Sequence, residues 1–272
     1  MGTSFALLII VTALFGDVAV FAGSPIKRPL RSSKADVPII YAPDFVSAVA
    51  YGVAMNDAGD FVGASYTDPG CGPFCLPPLE TVVWKAGVRI VLPSVPGLTG
   101  TAVTSINNHG WISGFAGSFG FSHAVVWKPK GNTYTAIDLG VLPGTAYSVS
   151  VGIDDTNRVV GYATNSSGFN APFVWTKAGG MVDLTKQGFP NEIPLGISSG
   201  GTVATYGYWY RLTDPASVTA MAPVPPGGWF VSNAPAAIND AGDQARGLGI
   251  GTEHPFTFMF RYHHDGTGTW QQ

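Results

Sequence analysis

The sequence predicts an all-β fold, a five-bladed β-propeller of four-stranded antiparallel blades. Three observations predict it: one turn pattern occurs five times, four short apolar segments recur in each interval, and the composition disfavours helices. Of 272 residues, 11% are charged, 36 are glycine and 21 are proline. Helical surfaces need more Glu, Lys and Arg than this chain supplies. The hydrophobic content of 46% excludes a wholly disordered chain.

Residues 1–22 are predicted to be a signal peptide. Residues 5–15 form an apolar run broken only by Thr12, and Val20-Phe21-Ala22 places small residues where a signal peptidase reads the chain, so we expect cleavage after Ala22. Because the first Lys and Arg residues lie downstream of this run, an uncleaved anchor is the alternative. Cleavage would leave a secreted or cell-surface protein, in an extracellular or periplasmic space and without a membrane anchor.

Residues 23–36 are predicted to be a linker, and residues 37–272 to be the propeller. The linker is rich in Pro, Ser, Lys and Arg, so the folded part that remains is mildly acidic. The whole chain has a net charge of −3. Nucleic-acid binding usually requires a basic face, and we therefore expect no nucleic-acid partner.

The main signal is a turn that recurs five times. Each copy has an apolar residue, then two short polar residues, and then Gly or Asn at the fifth place; the copies are 55–59, 106–110, 153–157, 197–201 and 238–242. Asn, Asp and Ser favour the start of a turn because their side chains bond nearby backbone amides. The fifth place is left-handed, where Gly and Asn fit best. The pattern predicts a tight β-hairpin with a bulge.

The residues before each turn and the spacing between turns also support a blade of four strands. The residue before the apolar position is small in all five copies, which predicts crowding near an axis: Ala54, Ser105, Gly152, Gly196 and Ala237. Successive turns lie 51, 47, 44 and 41 residues apart, which suits four strands plus loops and is too long for a β-helix coil. Residues 38–41 stand where a fourth strand of the last blade would close the ring and remove exposed sheet edges.

Three motifs of the second unit can be compared with those of known repeat proteins. They are Ile-Asn-Asn-His-Gly at 106–110, His-Ala-Val-Val-Trp at 123–127 and Asp-Leu-Gly at 138–140. Together they resemble the HAF family of probable extracellular repeat proteins, over about residues 45–260. The fourth unit departs from the pattern at Ser198 and Thr205. The resemblance implies an exported repeat protein and supplies no catalytic residues.

Cys71 and Cys75 are the only cysteines, and in an exported protein they predict a disulfide within one loop. Free thiols and metal binding are the alternatives, although the spacing is one residue longer than Cys-x-x-Cys and no second pair exists for zinc. The acidic turns are too short for a calcium loop. We expect no metal and no cofactor.

In a propeller, the loops from strand two to three and from strand four to one lie on the same face. The sequence places aromatic and polar residues there that suit a glycan or an extracellular protein. The predicted ligand-binding residues are Phe119, Phe121, His123, Tyr147, Phe169, Asn170, Trp229, Phe230, Glu253 and His254. The alternative for each aromatic residue is packing of its loop against the blades.

The sequence therefore predicts a monomeric, non-enzymatic binding module. One alternative is a propeller glycoside hydrolase, with Asp44 and Glu192 as the acidic pair just before two inner strands. These acids lie in non-adjacent blades, which is a poor arrangement for acid and nucleophile. A purely structural surface repeat protein is the other alternative.

Overall fold

The computed structural model describes residues 7–11, 18–22, 50–66, 79–118, 120–220, 229–231, 237–238, 244–250, 256–262 and 268–271. Side-chain environments are described for residues 53–65, 80–118 and 120–220. Within this part of the chain the protein is all-β, with a single 3-10 turn at Leu184–Gln187. It contains no helix long and apolar enough to cross a bilayer. The predicted all-β class with four-stranded antiparallel sheets is confirmed.

Four consecutive sheets have the same simple topology, in which each strand pairs with the next along the chain. Sheet 1 contains β3 (Ala50–Met55), β4 (Phe61–Tyr66), β5 (Leu79–Lys85) and β6 (Val88–Val91). Sheet 2 contains β7 (Thr101–Ile106), β8 (Ile112–Ala116), β9 (His123–Lys130) and β10 (Thr133–Gly140).

Sheet 3 contains β11 (Tyr147–Ile153), β12 (Val159–Thr164), β13 (Asn170–Thr176) and β14 (Gly180–Asp183). Sheet 4 contains β15 (Gly196–Ile197), β16 (Thr202–Ala204), β17 (Tyr208–Arg211) and β18 (Asp214–Ala220). A fourth strand is present in each of these four sheets, as the four short segments in each interval predict.

Two further sets of strands lie at the ends of the chain. Sheet 5 contains β19 (Trp229–Val231), β20 (Ala237–Ile238), β21 (Gln244–Ile250), β22 (Phe256–Tyr262) and β23 (Gly268–Gln271), and both β19 and β20 pair with β21. Near the N-terminus, β1 (Leu7–Val11) pairs with β2 (Val18–Ala22), inside the segment predicted to be a signal peptide. The predicted closing strand, residues 38–41, lies outside the described residues, and β23, which pairs with β22, holds the fourth place that this segment was predicted to fill.

Apolar side chains pack between neighbouring sheets from sheet 1 to sheet 4, so this part of the core is divided into layers. One cluster joins sheets 1 and 2, a second joins sheets 2 and 3, and a third joins sheets 3 and 4. The third strands of sheets 2, 3 and 4 each supply a large buried ring to one of these layers: Trp127, Trp175 and Tyr210. Trp84 of sheet 1 belongs to a fourth cluster, with Val82 and Phe61. Tyr210 pairs with Val203, which lies two residues after the last residue of the fourth turn. Trp127 pairs with Ile112, which holds the same place after the second turn. Tyr210 therefore replaces the tryptophan in sheet 4.

The predicted turn geometry is confirmed in the four described copies. The fifth place is left-handed each time, with φ of 80° at Gly59, 73° at Gly110, 64° at Asn157 and 87° at Gly201. The register shifts in the first strand of sheets 1, 2 and 3, where one residue bulges out shortly before the turn. The fifth copy, 238–242, extends beyond the described residues after Ile238.

Two glycine positions explain how the strands approach so closely. A Cβ atom on Gly152, one of the small residues before the turns, would lie 2.8 Å from Cγ2 of Ile197 in sheet 4. A Cβ on Gly114 in the second strand would lie 2.8 Å from Cζ3 of Trp127 and would overlap the backbone of β7. The crowding predicted from small residues is therefore present where sheets 3 and 4 meet.

Candidate functional site

The simple topology gives every sheet two distinct ends. The loops from strand two to three and from strand four to one lie at one end, which we call the loop end: 117–122, 141–146, 165–169, 184–195 and 205–207 in sheets 2 to 4. The turns from strand one to two, including the repeated motif, lie at the other end, the turn end. This arrangement agrees with the grouping of loops predicted from the sequence.

The loop end exposes one aromatic ring in each of three consecutive strand-two-to-three loops. Phe121 is 75% exposed, Phe169 is 73% exposed and Tyr206 is 41% exposed. Phe121 and Phe169 each lie six residues before the buried tryptophan of their sheet. Tyr206 is absent from the residues predicted as ligand-binding, although its loop position is the signal that could have identified it.

Tight turns hold the two phenylalanines. Asn165 accepts hydrogen bonds through Oδ1 from the backbone N–H of Ser167 at 2.9 Å and of Phe169 at 3.0 Å. The backbone N–H of Phe121 donates to the carbonyl of Ser118 at 2.9 Å. In both loops the residue before the phenylalanine is a left-handed glycine with φ of 81°. The exposed rings are therefore carried on defined backbone rather than on long, unsupported loops.

Serine side chains join the loop of sheet 2 to the first strand of sheet 3. The backbone N–H of Ser148 donates to the carbonyl of Ser122 at 2.8 Å, and Ser122 Oγ donates to the carbonyl of Ser148 at 3.2 Å. Ser148 Oγ donates to the carbonyl of Gly140 at 2.6 Å and accepts from the backbone N–H of Ala124 at 2.8 Å. Neighbouring sheets are thus fixed to each other directly beneath the loop end.

His123 begins β9 and is hydrogen-bonded to Asp138 of β10. Its Nδ1 lies 3.0 Å from Oδ1 and 2.9 Å from Oδ2 of the carboxylate. The His123 side chain is 32% exposed and that of Asp138 is 41% exposed. The pair links the first residue of one sequence motif, 123–127, to the first residue of the other, 138–140.

Tyr147 and Asn170 both begin strands of sheet 3 at the loop end. Asn170 is exposed, and its Oδ1 accepts a hydrogen bond from Thr164 Oγ1 at 2.6 Å. Tyr147 is half-buried and lies near Tyr162 of the neighbouring strand. Burial, with a smaller contribution from Tyr147, raises the pKa of Tyr162 above its usual value. The structure thus brings Tyr147 and Asn170 to the same edge as Phe169.

Glu192 organises the loop that carries Tyr206. Its Oε2 accepts from Thr205 Oγ1 at 2.6 Å and from the backbone N–H of Gly207 at 2.9 Å. Burial and the Glu192 carboxylate raise the pKa of Tyr210 well above its usual range. Thr205, where the other units have glycine, therefore has a partner specific to sheet 4, and Glu192 supports loop structure.

Several of the predicted site residues lie outside the described residues or outside the loops. Phe119, Glu253, His254, Cys71, Cys75 and Asp44 lie outside the described residues, so the predicted disulfide remains a prediction. Trp229 and Phe230 were predicted to lie in a loop. The structure places them in β19, opposite Ile250 and Gly249 of β21, because the apolar run 229–231 pairs as a strand. In the described part of the chain, no three His, Cys, Asp or Glu side chains form a group that could hold a metal ion.

The turn end contains a ladder of hydrogen bonds that the sequence did not predict. Asn56 Nδ2 donates to the carbonyl of Asn107 at 3.2 Å, and Asn107 Nδ2 donates to the carbonyl of Asp154 at 2.8 Å. These residues hold the same place in turns 1, 2 and 3. Each side-chain oxygen also accepts from a backbone N–H within its own turn, such as that of Trp111 to Asn107 at 2.9 Å.

A second set of hydrogen bonds repeats one residue later. The backbone N–H of Asp57 donates to Asn108 Oδ1, and that of Asn108 donates to Asp155 Oδ1, both at 2.9 Å. The backbone N–H of Asp155 then donates to the carbonyl of Ser199 at 3.2 Å. Each of the first three turns is therefore bonded to the next in the same direction. We call these contacts the turn ladder.

No model of a known protein family matches the chain, and no curated protein sequence matches it either.

Proposed function

We propose that the chain is an exported, non-enzymatic binding module that takes a glycan on its loop end. The observation that carries this proposal is the exposure of one aromatic ring in the equivalent loop of three consecutive sheets, Phe121, Phe169 and Tyr206. Burial of an aromatic side chain stabilises a fold by about 1.5–3 kcal/mol. Rings exposed at one edge forgo part of that gain and present apolar surface to a partner.

The surroundings of the rings support recognition of an uncharged partner. Three of the charged side chains described at this edge are engaged within the chain: His123 with Asp138, and Glu192 with Thr205 and the Gly207 backbone. Hydrogen-bonding side chains lie beside the rings, as Asn170 does beside Phe169. Aromatic faces flanked by such groups suit sugar rings, which present apolar C–H faces and hydroxyl edges together.

We further propose that the sheets are blades of a five-bladed ring. The turn ladder supports this, because a contact that repeats in one direction generates either a closed ring or an open helical array. The fifth turn has Asn239 and Asp240 where the first has Asn56 and Asp57, so its side chains could bond to the first turn as the second turn bonds to the third. The resemblance to the HAF family likewise implies an exported repeat protein.

A glycan array probed with the secreted full chain tests the binding function. We expect binding to neutral glycans, together with at least a tenfold loss when Phe121, Phe169 and Tyr206 are all replaced by alanine. The matched control replaces Val88 and Val91, exposed apolar residues of β6, and should leave binding unchanged. Binding that survives the triple substitution, or turnover of a model glycoside by the wild type, contradicts the proposal.

Deletion of residues 37–43 tests closure of the ring. If this segment pairs with sheet 5, its loss should lower the free energy of unfolding by several kcal/mol, since a whole strand loses its hydrogen bonds and its apolar contacts. Deletion of the seven linker residues 24–30 is the control and should change stability little. Equal stability of the two deletions would refute closure by this segment.

Sequencing of the mature N-terminus tests export. The proposal predicts a mature chain that begins at Gly23, directly after the expected cleavage site. A membrane-bound chain that retains residues 1–22 would instead support the uncleaved anchor.

A further inference from the structure

The geometry of His123 and Asp138 determines which nitrogen of the imidazole carries the proton. Both carboxylate oxygens of Asp138 lie within 3.0 Å of His123 Nδ1, and Oδ1 also accepts from the backbone N–H of Gly140 at 2.8 Å. An ionised carboxylate can only accept hydrogen bonds, so Nδ1 is the donor. In the neutral ring, Nε2 is then the hydrogen-bond acceptor.

The strand rather than a loop holds Asp138 in place. The register of β10 against β9 shifts between Asp138 and Gly140, and Gly140 is left-handed with φ of 70°. Such a bulge re-aims a side chain at the edge of a sheet. The imidazole is therefore oriented by a fixed group, about a third of its surface faces solvent, and it lies two residues after the exposed ring of Phe121.

We propose that His123 contacts the ligand of the loop end, with Nε2 accepting a hydrogen bond from a hydroxyl group of a neutral sugar ring that stacks on Phe121. Asp138 is the positioning residue that keeps the proton on Nδ1. This inference rests on the proposed glycan-binding function and specifies the ligand class: a pyranose with a free hydroxyl beside its apolar face.

The hydrogen-bonding capacity of the site argues for this class. A neutral Nε2 acceptor requires a donor, and ionised carboxylates and phosphates have none to offer. One sheet further along, Asn165 Oδ1 accepts two hydrogen bonds within the chain, so the remaining capacity of that side chain is that of a donor. The Asn170 amide can donate through Nδ2 and accept through the second lone pair of Oδ1. Acceptor and donors at the same edge match sugar hydroxyls, which both donate and accept.

Long-range ¹H–¹⁵N correlation spectra of the full chain test the tautomer independently of any ligand. We expect the signal of His123, assigned by its loss in His123→Phe, to show a protonated Nδ1 in the wild type. Asp138→Asn should shift the proton toward Nε2. The control Asp214→Asn removes an acid at the turn end and should leave the signal unchanged. A wild-type ring protonated on Nε2 would overturn the inference.

Binding measurements then test the contact with the ligand. For a neutral glycan bound by the wild type, His123→Phe should weaken affinity about tenfold, or ~1.4 kcal/mol. Asp138→Asn should weaken it less, because a hydroxyl can also accept from a protonated Nε2. A deoxy analogue that lacks the contacted hydroxyl should bind the wild type and His123→Phe equally well.

The outcomes separate this inference from the proposed function. A glycan that requires the three aromatic residues and binds His123→Phe as tightly as the wild type would refute the role of His123 alone. A wild-type chain that binds only a protein partner, or no neutral glycan at all, would refute both. If His123→Phe unfolds at the same temperature as the wild type, its loss of affinity comes from the binding site and not from a loss of stability.

Discussion

Removal of the Asn107 side chain should destabilise the fold without affecting the loop end. Nδ2 donates to the carbonyl of Asp154 at 2.8 Å and to Asn157 Oδ1 at 2.9 Å. Oδ1 accepts from the backbone N–H of His109 at 3.1 Å and of Trp111 at 2.9 Å. A typical intramolecular hydrogen bond contributes about 0.5–1.5 kcal/mol, so Asn107→Ala should cost about 2–6 kcal/mol in free energy of unfolding.

The lower half of that range is the more specific expectation. His109 is exposed, so water can replace the asparagine oxygen at its N–H and recover part of the loss. Asn107 itself is 4% exposed, and the groups it leaves behind are poorly placed to bind water. We therefore expect a loss of about 3 kcal/mol for Asn107→Ala.

Urea unfolding followed by tryptophan fluorescence measures this loss, because Trp111 and Trp127 lie in the affected sheet. Asn132→Ala is the matched control, since Asn132 is exposed in the turn between β9 and β10, and it should change stability by less than about 0.5 kcal/mol. Equal losses in the two variants, or a loss below about 0.5 kcal/mol for Asn107→Ala, would refute the energetic role of the turn ladder.

Three further predictions follow from burial and exposure. Gly114→Ala should destabilise the chain by several kcal/mol in urea unfolding, since its Cβ would overlap Trp127 and the backbone of β7, whereas Gly131→Ala, in open space with φ of 60°, should cost about 1 kcal/mol. Burial raises the pKa of Tyr134 from its ordinary value of 10.0 to about 12. Because the unfolded chain therefore loses this proton at lower pH than the folded chain, the free energy of unfolding should fall between about pH 10 and 12. Tyr134→Phe should make that fall smaller. Phe121→Ala should weaken glycan binding yet shift the unfolding midpoint little, because the ring is 75% exposed; a large shift would show that the ring packs its loop.

The local features of the fold were predictable from the sequence, since their causes lie within a few residues. The turn motif requires a short polar side chain first and a left-handed residue fifth, and both requirements appear in the letters of 106–110 and 153–157. The third strands are marked by a large aromatic residue. In sheet 4 this residue is Tyr210 rather than a tryptophan, and its register opposite Val203 identifies it.

The features that join one unit to the next were not predictable in the same way. The hydrogen bonds from Asn56 to Asn107 and from Asn107 to Asp154 join residues 51 and 47 positions apart. Their geometry depends on how the sheets pack, which a single turn motif does not specify. The repetition of asparagine at the first polar position has two explanations, capping within the turn and bonding between turns, and the sequence alone shows only the first.

The candidate site was predicted in part for the same reason. Its location on one edge follows from alternating strand direction, so Phe121 and Phe169 could be placed there from the sequence. The pairing of His123 with Asp138 depends on the bulge in β10 before Gly140, because a shift of one residue would turn the aspartate to the other face of the sheet. Tyr206 was missed because its loop is short and its unit departs from the repeat at Thr205.

The turn ladder also determines how well the chain should tolerate circular permutation and duplication of a unit. Because each described turn bonds to the next in the same sense, the contacts between units do not depend on where the polypeptide begins. A chain cut between two sheets and rejoined at its original termini would keep every contact of the ladder except any at the new break. Circular permutation in the segment 93–99, between sheets 1 and 2, should therefore preserve the fold if the ring is closed. Duplication of one whole unit would likewise add a complete set of contacts, so the number of sheets can vary more readily than the structure of any one of them.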